Sequence, residues 1–327
     1  MNAAWNRRTF IKTTAGAAAA CWGGVAPAQE AYPVRPIQFV LPIPPGGIVD
    51  TVARLVTERM KDGLGQPCVI HNKPGGSYVI GVTAAATAPA DGYTVLTMHI
   101  GVLAAQAAMR QFNLLESFAP VGMIGALPTT VTVGGTSRFQ TVADLVQYGR
   151  ANPGKVNFST PGLGTVEHLK SVQFTKAAGF QATHIPYKGG PEMVMSLING
   201  DAHFSLLPNA LAEPYVAKGQ LRYIAPLSDA RLPAHSQIAT AREQGVEVES
   251  MVSWMGFMVR KGTPARAIEV LSRETTRAMQ TPEIQDRLRA IGGVPTYTNS
   301  PGEFEARMRT DLAWMTRVAK DLDLKVN

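Results

Sequence analysis

Cysteine is almost missing from this chain. Of the two present, Cys21 and Cys68, the first falls in an N-terminal stretch that reads as removable. A mature protein would then hold one thiol and no internal disulfide, even in an oxidising compartment. Charge is also sparse, at 17% of residues, and no run of Lys or Arg builds the electrostatic footprint of a nucleic-acid binder. There is no Walker A sequence, no nucleophile-elbow serine, no His-Glu-x-x-His and no Cys-x-x-Cys pair, which weighs against catalysis. The six histidines, at 71, 99, 168, 184, 203 and 235, lack metal-ligand spacing. No metal and no cofactor are expected.

What is present fits a globular chain of many short elements. Hydrophobic residues make up 45% of 327 positions, enough for one or two substantial cores. The 31 glycines and 23 prolines fall at segment ends, which favours α/β architecture over a helical bundle.

Arg7, Arg8 and Lys12 precede a short apolar stretch over 13–25 and then Ala26-Pro27-Ala28. A basic start, a weakly apolar core and a small-x-small end describe an export leader, 1–28, and Asn6-Arg7-Arg8-Thr9-Phe10-Ile11-Lys12 is of the twin-arginine type. The stretch is too short, and too interrupted by Gly and Pro, to span a bilayer. Cleavage after Ala28 removes three positive charges, so the formal charge falls from +7 to +7 − 3 = +4. A mild surplus of that sign attracts small anions.

Beyond the leader, strand, glycine turn and helix alternate. A β-rich run over 37–43 ends at Pro44-Pro45-Gly46-Gly47, and Val52, Leu55, Val56 and Met60 follow at helical spacing. Strands at 68–71 and 94–98 flank a small-residue helix at 80–88, the alternation of a parallel sheet, with Cys68 buried in its strand. The pattern restarts near Val131: Thr141 and Asp144 make a capping box, strands read at 156–159, 183–185, 204–206 and 221–225, and helices at 166–177 and 191–198. A strand at 252–259 leads back. The last third is helical, with starts at Thr263-Pro264, Thr281-Pro282 and Ser300-Pro301, and Phe304, Met308, Leu312 and Met315 form an apolar stripe.

Two glycine-rich turns carry chemistry. In Pro45-Gly46-Gly47-Ile48, with Asp50 beyond, peptide N–H groups stand uncovered at a helix start, where orphan donors and the helix dipole stabilise an anion. Thr160-Pro161-Gly162-Leu163-Gly164-Thr165 repeats the device, with Thr160 and Thr165 as hydroxyl donors. Ligands of open α/β sheets sit at strand carboxyl ends, so the two turns are expected to face each other across one cleft. On these residues alone, a secreted hydrolase or isomerase using His168 and Thr165, or a ligand sensor for a signalling partner, stays open. Glu167 and His168 are a poor catalytic pair, because adjacent helical residues point about 100° apart.

The order Tyr32-Pro33, Pro36-Ile37, Pro44-Pro45-Gly46-Gly47 with Asp50, Leu64-Gly65-Gln66-Pro67, Asn72-Lys73-Pro74-Gly75, Ala90-Asp91-Gly92-Tyr93-Thr94, Gly162, Gly164, His168-Leu169, Pro186-Tyr187-Lys188-Gly189, Ser253-Trp254 and Gly262-Thr263-Pro264 resembles the Bug family, the substrate receptors of tripartite tricarboxylate transporters. The match spans essentially the whole mature chain. It implies a periplasmic type II binding-protein fold: lobe 1 over 29–128 and 252–327, lobe 2 over 129–251, and a ligand between them. It also implies a small carboxylate ligand held at Pro45, Gly46, Gly47 and Ile48 and at Thr160, Gly162, Gly164 and Thr165, with Asp50, His168 and Tyr187 at the site. The partner is a membrane permease; the receptor is expected to be a monomer and not an enzyme.

Departures from the family pattern bear on the ligand. Ser77-Tyr78-Val79 replaces a glycine-rich stretch, His99 stands where a small hydroxyl residue is common, and His203 and Leu207 replace aspartates. A less acidic, bulkier distal pocket favours an aromatic or medium-chain dicarboxylate, terephthalate-like, with His99 facing its far end.

Overall fold

The computed structural model describes residues 31–109, 112–249, 252–290 and 300–321; the leader at 1–28 lies outside them. The chain runs β1 (Ile37–Leu41), α1 (Ile48–Leu64), β2 (Cys68–Asn72), α2 (Val79–Ala86), β3 (Thr94–His99), α3 (Ile100–Met109), α4 (Leu114–Ser117) and β4 (Phe118–Leu127). It continues with β5 (Thr129–Gly134), α5 (Val142–Ala151), β6 (Val156–Thr160), α6 (Val166–Ala178), β7 (Ala182–Pro186), α7 (Gly190–Asn199), β8 (Phe204–Pro208), α8 (Asn209–Val216) and β9 (Leu221–Pro226). β10 (Ser253–Arg260), α9 (Ala265–Met279), α10 (Pro282–Ala290) and α11 (Pro301–Asp321) follow.

Two five-stranded sheets result, ordered β2-β1-β3-β10-β4 and β7-β6-β8-β5-β9. In the first, β1 pairs in parallel with β2 and β3; in the second, β6 pairs in parallel with β7 and β8. The fourth strand of each sheet reverses direction: β10 is antiparallel to β3 and β4, and β5 to β8 and β9. The sheets are therefore mixed, where the sequence pattern pointed to parallel ones. Each reversed strand enters its sheet from the other half of the molecule. At the junction, Leu127 of β4 lies opposite Ser253 of β10, and Thr129 of β5 lies opposite Pro208 of β8.

Local sequence explains the elements. Every residue of β1 except Gln38 is buried, as expected where helices cover both faces of a sheet. α1 buries Val52, Ala53, Val56, Met60 and Leu64, one stripe at helical spacing. It stops at Gly65, whose φ of 63° lets its N–H reach Lys61 O, a left-handed cap that a Cβ would strain. The Thr141–Asp144 capping box forms, and so does Ser300–Glu303. Proline opens α10 and α11, whereas α9 begins one residue later, with Pro264 as its cap. Cys68 lies in edge strand β2 and is only partly buried, since one side of that strand has no neighbour.

One face of the first sheet packs on α1 and α9 through Phe39, Met60, Phe257 and Leu271; the other packs on α2, α3 and α11 through Leu96, Leu103, Phe304 and Met308. The second cluster also takes in Val166 and Leu169, from the first turns of α6 on the other sheet. Burying an aliphatic side chain of this size is worth about 1.5–3 kcal/mol, so α6 is tied to both halves. Beside it, Asp311 of α11 accepts Trp254 Nε1 at 2.5 Å and Arg307 Nε at 2.8 Å.

Candidate functional site

A cleft of about 630 Å³ opens where the two sheets meet. Leu127, Ser253, Trp254 and Met255 line it at the crossovers; Val49, Ser77, Tyr78, His99, Ile100 and Gly101 line one wall, and Pro161, Leu163, Gly164, Thr165, Val166 and Glu167 the other. Four helices start against it. Val49, Tyr78, Ile100 and Val166 belong to the first turns or caps of α1, α2, α3 and α6. The first amides of a helix have no intrahelical acceptor, and each N-terminus carries roughly +0.5 of an elementary charge. Among the described residues, no Lys or Arg lines the cleft. An anion placed here meets main-chain amides and dipoles in place of cations.

The first glycine turn is built by Asp50. Its carboxylate, 3% exposed, accepts the Gly46 amide (3.0 Å), Arg54 Nε (2.9 Å) and Nη2 (3.0 Å), and Asn72 Nδ2 (2.9 Å). Burial pushes the carboxyl up, but the bonds from Arg54, Gly46 and Asn72 outweigh it and hold the pKa at about 2. With both oxygens engaged inside the protein, Asp50 shapes the turn and does not face the cleft. Pro45, Gly46 and Gly47 are exposed and lie outside the cleft lining, as does Ile48; Val49, one residue on, reaches it. Gly47 caps α1 without any side-chain acceptor, so the first amides of that helix stay uncovered.

The second loop spans β6 and α6. Gly162 and Gly164 hold φ of 145° and 76°, a region that a side chain disfavours. The hydroxyls expected as ligand donors are engaged within the loop. Thr165 Oγ1 donates to Gly162 O at 2.8 Å and accepts the His168 amide as the cap of α6; Thr160 Oγ1 accepts the Gly162 amide and shares a 2.6 Å hydrogen bond with His184 Nε2. Thr160 is fully buried. Gly164 and Thr165 line the cleft; Thr160, Gly162 and His168 stand behind it. His168, 5% exposed, accepts the Gly164 amide at Nδ1 and lies 4.5 Å from His184, ring to ring, beside Phe158. Burial first, and His184 second, push its pKa down to about 4. It braces the loop as a neutral ring.

His99 does line the cleft, at the carboxyl end of β3. Its Nδ1 accepts the Gly101 amide at 3.1 Å, its ring meets Tyr78 edge-on at 5.1 Å, and burial pushes its pKa down to about 4. Nε2 is shielded from solvent and has no partner among the described residues. Tyr78 and Ser77 adopt φ of 78° and 49°, rare for residues with side chains. The sequence reading set their replacement of a glycine-rich stretch apart without assigning either a place in the site.

Other expected site residues are elsewhere. His203 opens β8 at the end of the sheet opposite the cleft, where Nδ1 accepts the Asn157 amide at 3.0 Å and the ring stacks near Tyr148 and Phe139. Leu207 is fully buried among Met193, Val194 and Tyr223, because alternation along β8 turns it into the core. Tyr187 donates its amide to Thr160 O and packs at the edge of the same cluster, supporting the loop from outside. Glu167, set aside as a partner for His168, is the one charged side chain on the cleft wall among the described residues. The angular separation that spoils the pair sends His168 inward and Glu167 to the ligand side.

Two mixed α/β halves joined by crossover strands, with a cleft walled by helix N-termini, define a solute-binding receptor of the periplasmic type. A model of the tripartite tricarboxylate transporter family receptor matches residues 52–323, and the chain belongs to that family. The family is one of substrate-binding receptors and not of enzymes. The chain is 32% identical to the protein BugT of Bordetella pertussis over 272 residues, 81% of this chain and 83% of that one. It is 31% identical to a protein of the tcbD-tcbE intergenic region of Pseudomonas sp. strain P51, over 80% of this chain and 79% of the other. Among solved structures, R. palustris Rpa4515 with adipate is similar at 29% identity and a TM-score of 0.78, covering 89% of this chain and 98% of that one. The periplasmic binding protein BugD is similar at 26% identity and a TM-score of 0.73, covering 89% and 98%. No described helix is long and apolar enough to cross a membrane.

Proposed function

We propose that this receptor captures an aromatic or medium-chain dicarboxylate, terephthalate-like or adipate-like, between a lobe of 29–128 with 252–327 and a lobe of 129–251, and hands it to tripartite permease subunits. The single observation that carries the reading is the convergence of four helix starts on a cleft that no described Lys or Arg lines. One carboxylate rests on the amides at the starts of α1 and α6, each charge-assisted hydrogen bond contributing about 1.5–3 kcal/mol. Ile100, Ala104, Val166 and Trp254 supply an apolar wall for a ring or alkyl body, and the His99 ring faces the far end. Adipate in the 29% identical Rpa4515 supports a ligand of this length. The twin-arginine leader carries the chain to the periplasm, where it acts as a monomer.

Titration calorimetry against terephthalate, adipate, malate and glutamate tests the reading. One unchanged dicarboxylate bound per receptor is the expected result; binding of acidic amino acids alone overturns the dicarboxylate assignment.

A further inference from the structure

Glu167 faces the space that the ligand would fill. It sits in the first turn of α6, two residues past the Thr165 cap, and among the described residues it is the only cleft-lining side chain that is charged in its ordinary state at neutral pH. Its neighbours leave the charge poorly compensated. Tyr78 stands across the cleft as a neutral phenol, His99 beyond it as a neutral ring, and the cation that acts on it among the described residues, Lys170, lies one turn along α6 with Asp311 and Arg307 of α11 around it. Burial pushes the Glu167 carboxyl up, against the pull of its own main-chain amide and of Lys170. A second carboxylate brought into this cleft adds like charge at close range, which disfavours two ionised groups.

We infer that Glu167 sets the charge state in which a dicarboxylate is bound: one proton from solvent is taken up on closure and shared between the Glu167 carboxyl and the ligand's nearer carboxylate. The inference rests on the dicarboxylate reading above. It makes Glu167 a specificity residue as well, since the shared proton lets the carboxyl donate to an acid oxygen that an ionised glutamate would repel. Uptake on binding means that affinity is greatest at low pH and falls as pH rises.

Calorimetry with adipate and terephthalate, in two buffers of different ionisation heat, reads the proton count directly. It is run above about pH 6.5, where simple carboxylates are ionised. Wild type is expected to take up close to one proton per ligand and to lose affinity by up to about tenfold per pH unit. Glu167→Gln, which keeps the shape and removes the titration, should show no uptake, a flat profile and tighter binding than wild type at about pH 8.5. Binding by wild type without uptake overturns the inference and leaves the dicarboxylate reading standing. Uptake that survives Glu167→Gln and disappears in His99→Asn moves the proton to His99 and overturns it as well. No heat from either acid with either protein overturns the dicarboxylate reading, and the inference with it.

Discussion

Arg54 lies edge-on against Asp50, Nε to Oδ2 at 2.9 Å and Nη2 to Oδ1 at 3.0 Å, one turn apart on α1. The guanidinium is half exposed while the carboxylate is buried, so the pair anchors the Gly46 turn from beneath. Asp50→Ala leaves the Gly46 amide, Asn72 and Arg54 without their acceptor. The variant should fold, lose about 1–3 kcal/mol in urea denaturation, and bind its ligand more weakly through a loosened turn. Wild-type stability would show that the turn holds without it.

Thr165→Val tests whether that hydroxyl serves the loop or the ligand. Its proton goes to Gly162 O and its oxygen caps α6, so the loss should be the roughly 1 kcal/mol of a helix cap, with affinity reduced less than about tenfold. A far larger drop in affinity, with stability unchanged, would place the hydroxyl on the ligand.

His99 and His168 are both held near pKa 4, below the about 6.5 of an unfolded chain. The fold favours their neutral forms. Their contribution is therefore complete above about pH 6.5 and is lost as pH falls toward about 4. Urea midpoints at about pH 7, 5.5 and 4.5 should decline across that window, and a level series would contradict the buried neutral rings.

His99→Phe keeps a ring against Tyr78 but removes the Nδ1 that accepts the Gly101 amide. Folding stability should fall by about 1–3 kcal/mol as that amide loses its acceptor, and dicarboxylate affinity should fall with it as the start of α3 loosens. Unchanged affinity, measured by calorimetry, would take His99 out of the site.

Much of this architecture could be read from the residues. Proline and glycine at segment ends marked the turns, and the caps at Thr141 and Ser300 formed as spelled. Strand direction was not legible: the burial pattern of β10 is the same whichever way it runs, and only its antiparallel register with β3 and β4 fixes it. β4 escaped notice because Pro120, Gly122 and Gly125 read as loop, yet the bulged pairing with β10 accommodates them. α3 escaped because Ile100–Met109 is nearly all small or apolar and shows no polar face. Of the positions taken from the family pattern, His99, Gly164 and Thr165 line the cleft. His203 and Leu207 lie away from it, because a motif position does not say which end or face of a strand it occupies. Glu167 was passed over because it was weighed as a catalytic partner and not as a wall.

Val166 and Leu169 close the circle between recognition and shape. They belong to the helix whose first amides would hold the ligand, yet their side chains are sealed among Leu103, Ala104, Phe304 and Trp314 on the opposite half. Spreading the jaws would draw two greasy side chains into water, a penalty of about 1.5–3 kcal/mol for each one fully exposed. Any opening that parts α6 from the first half works against that cost.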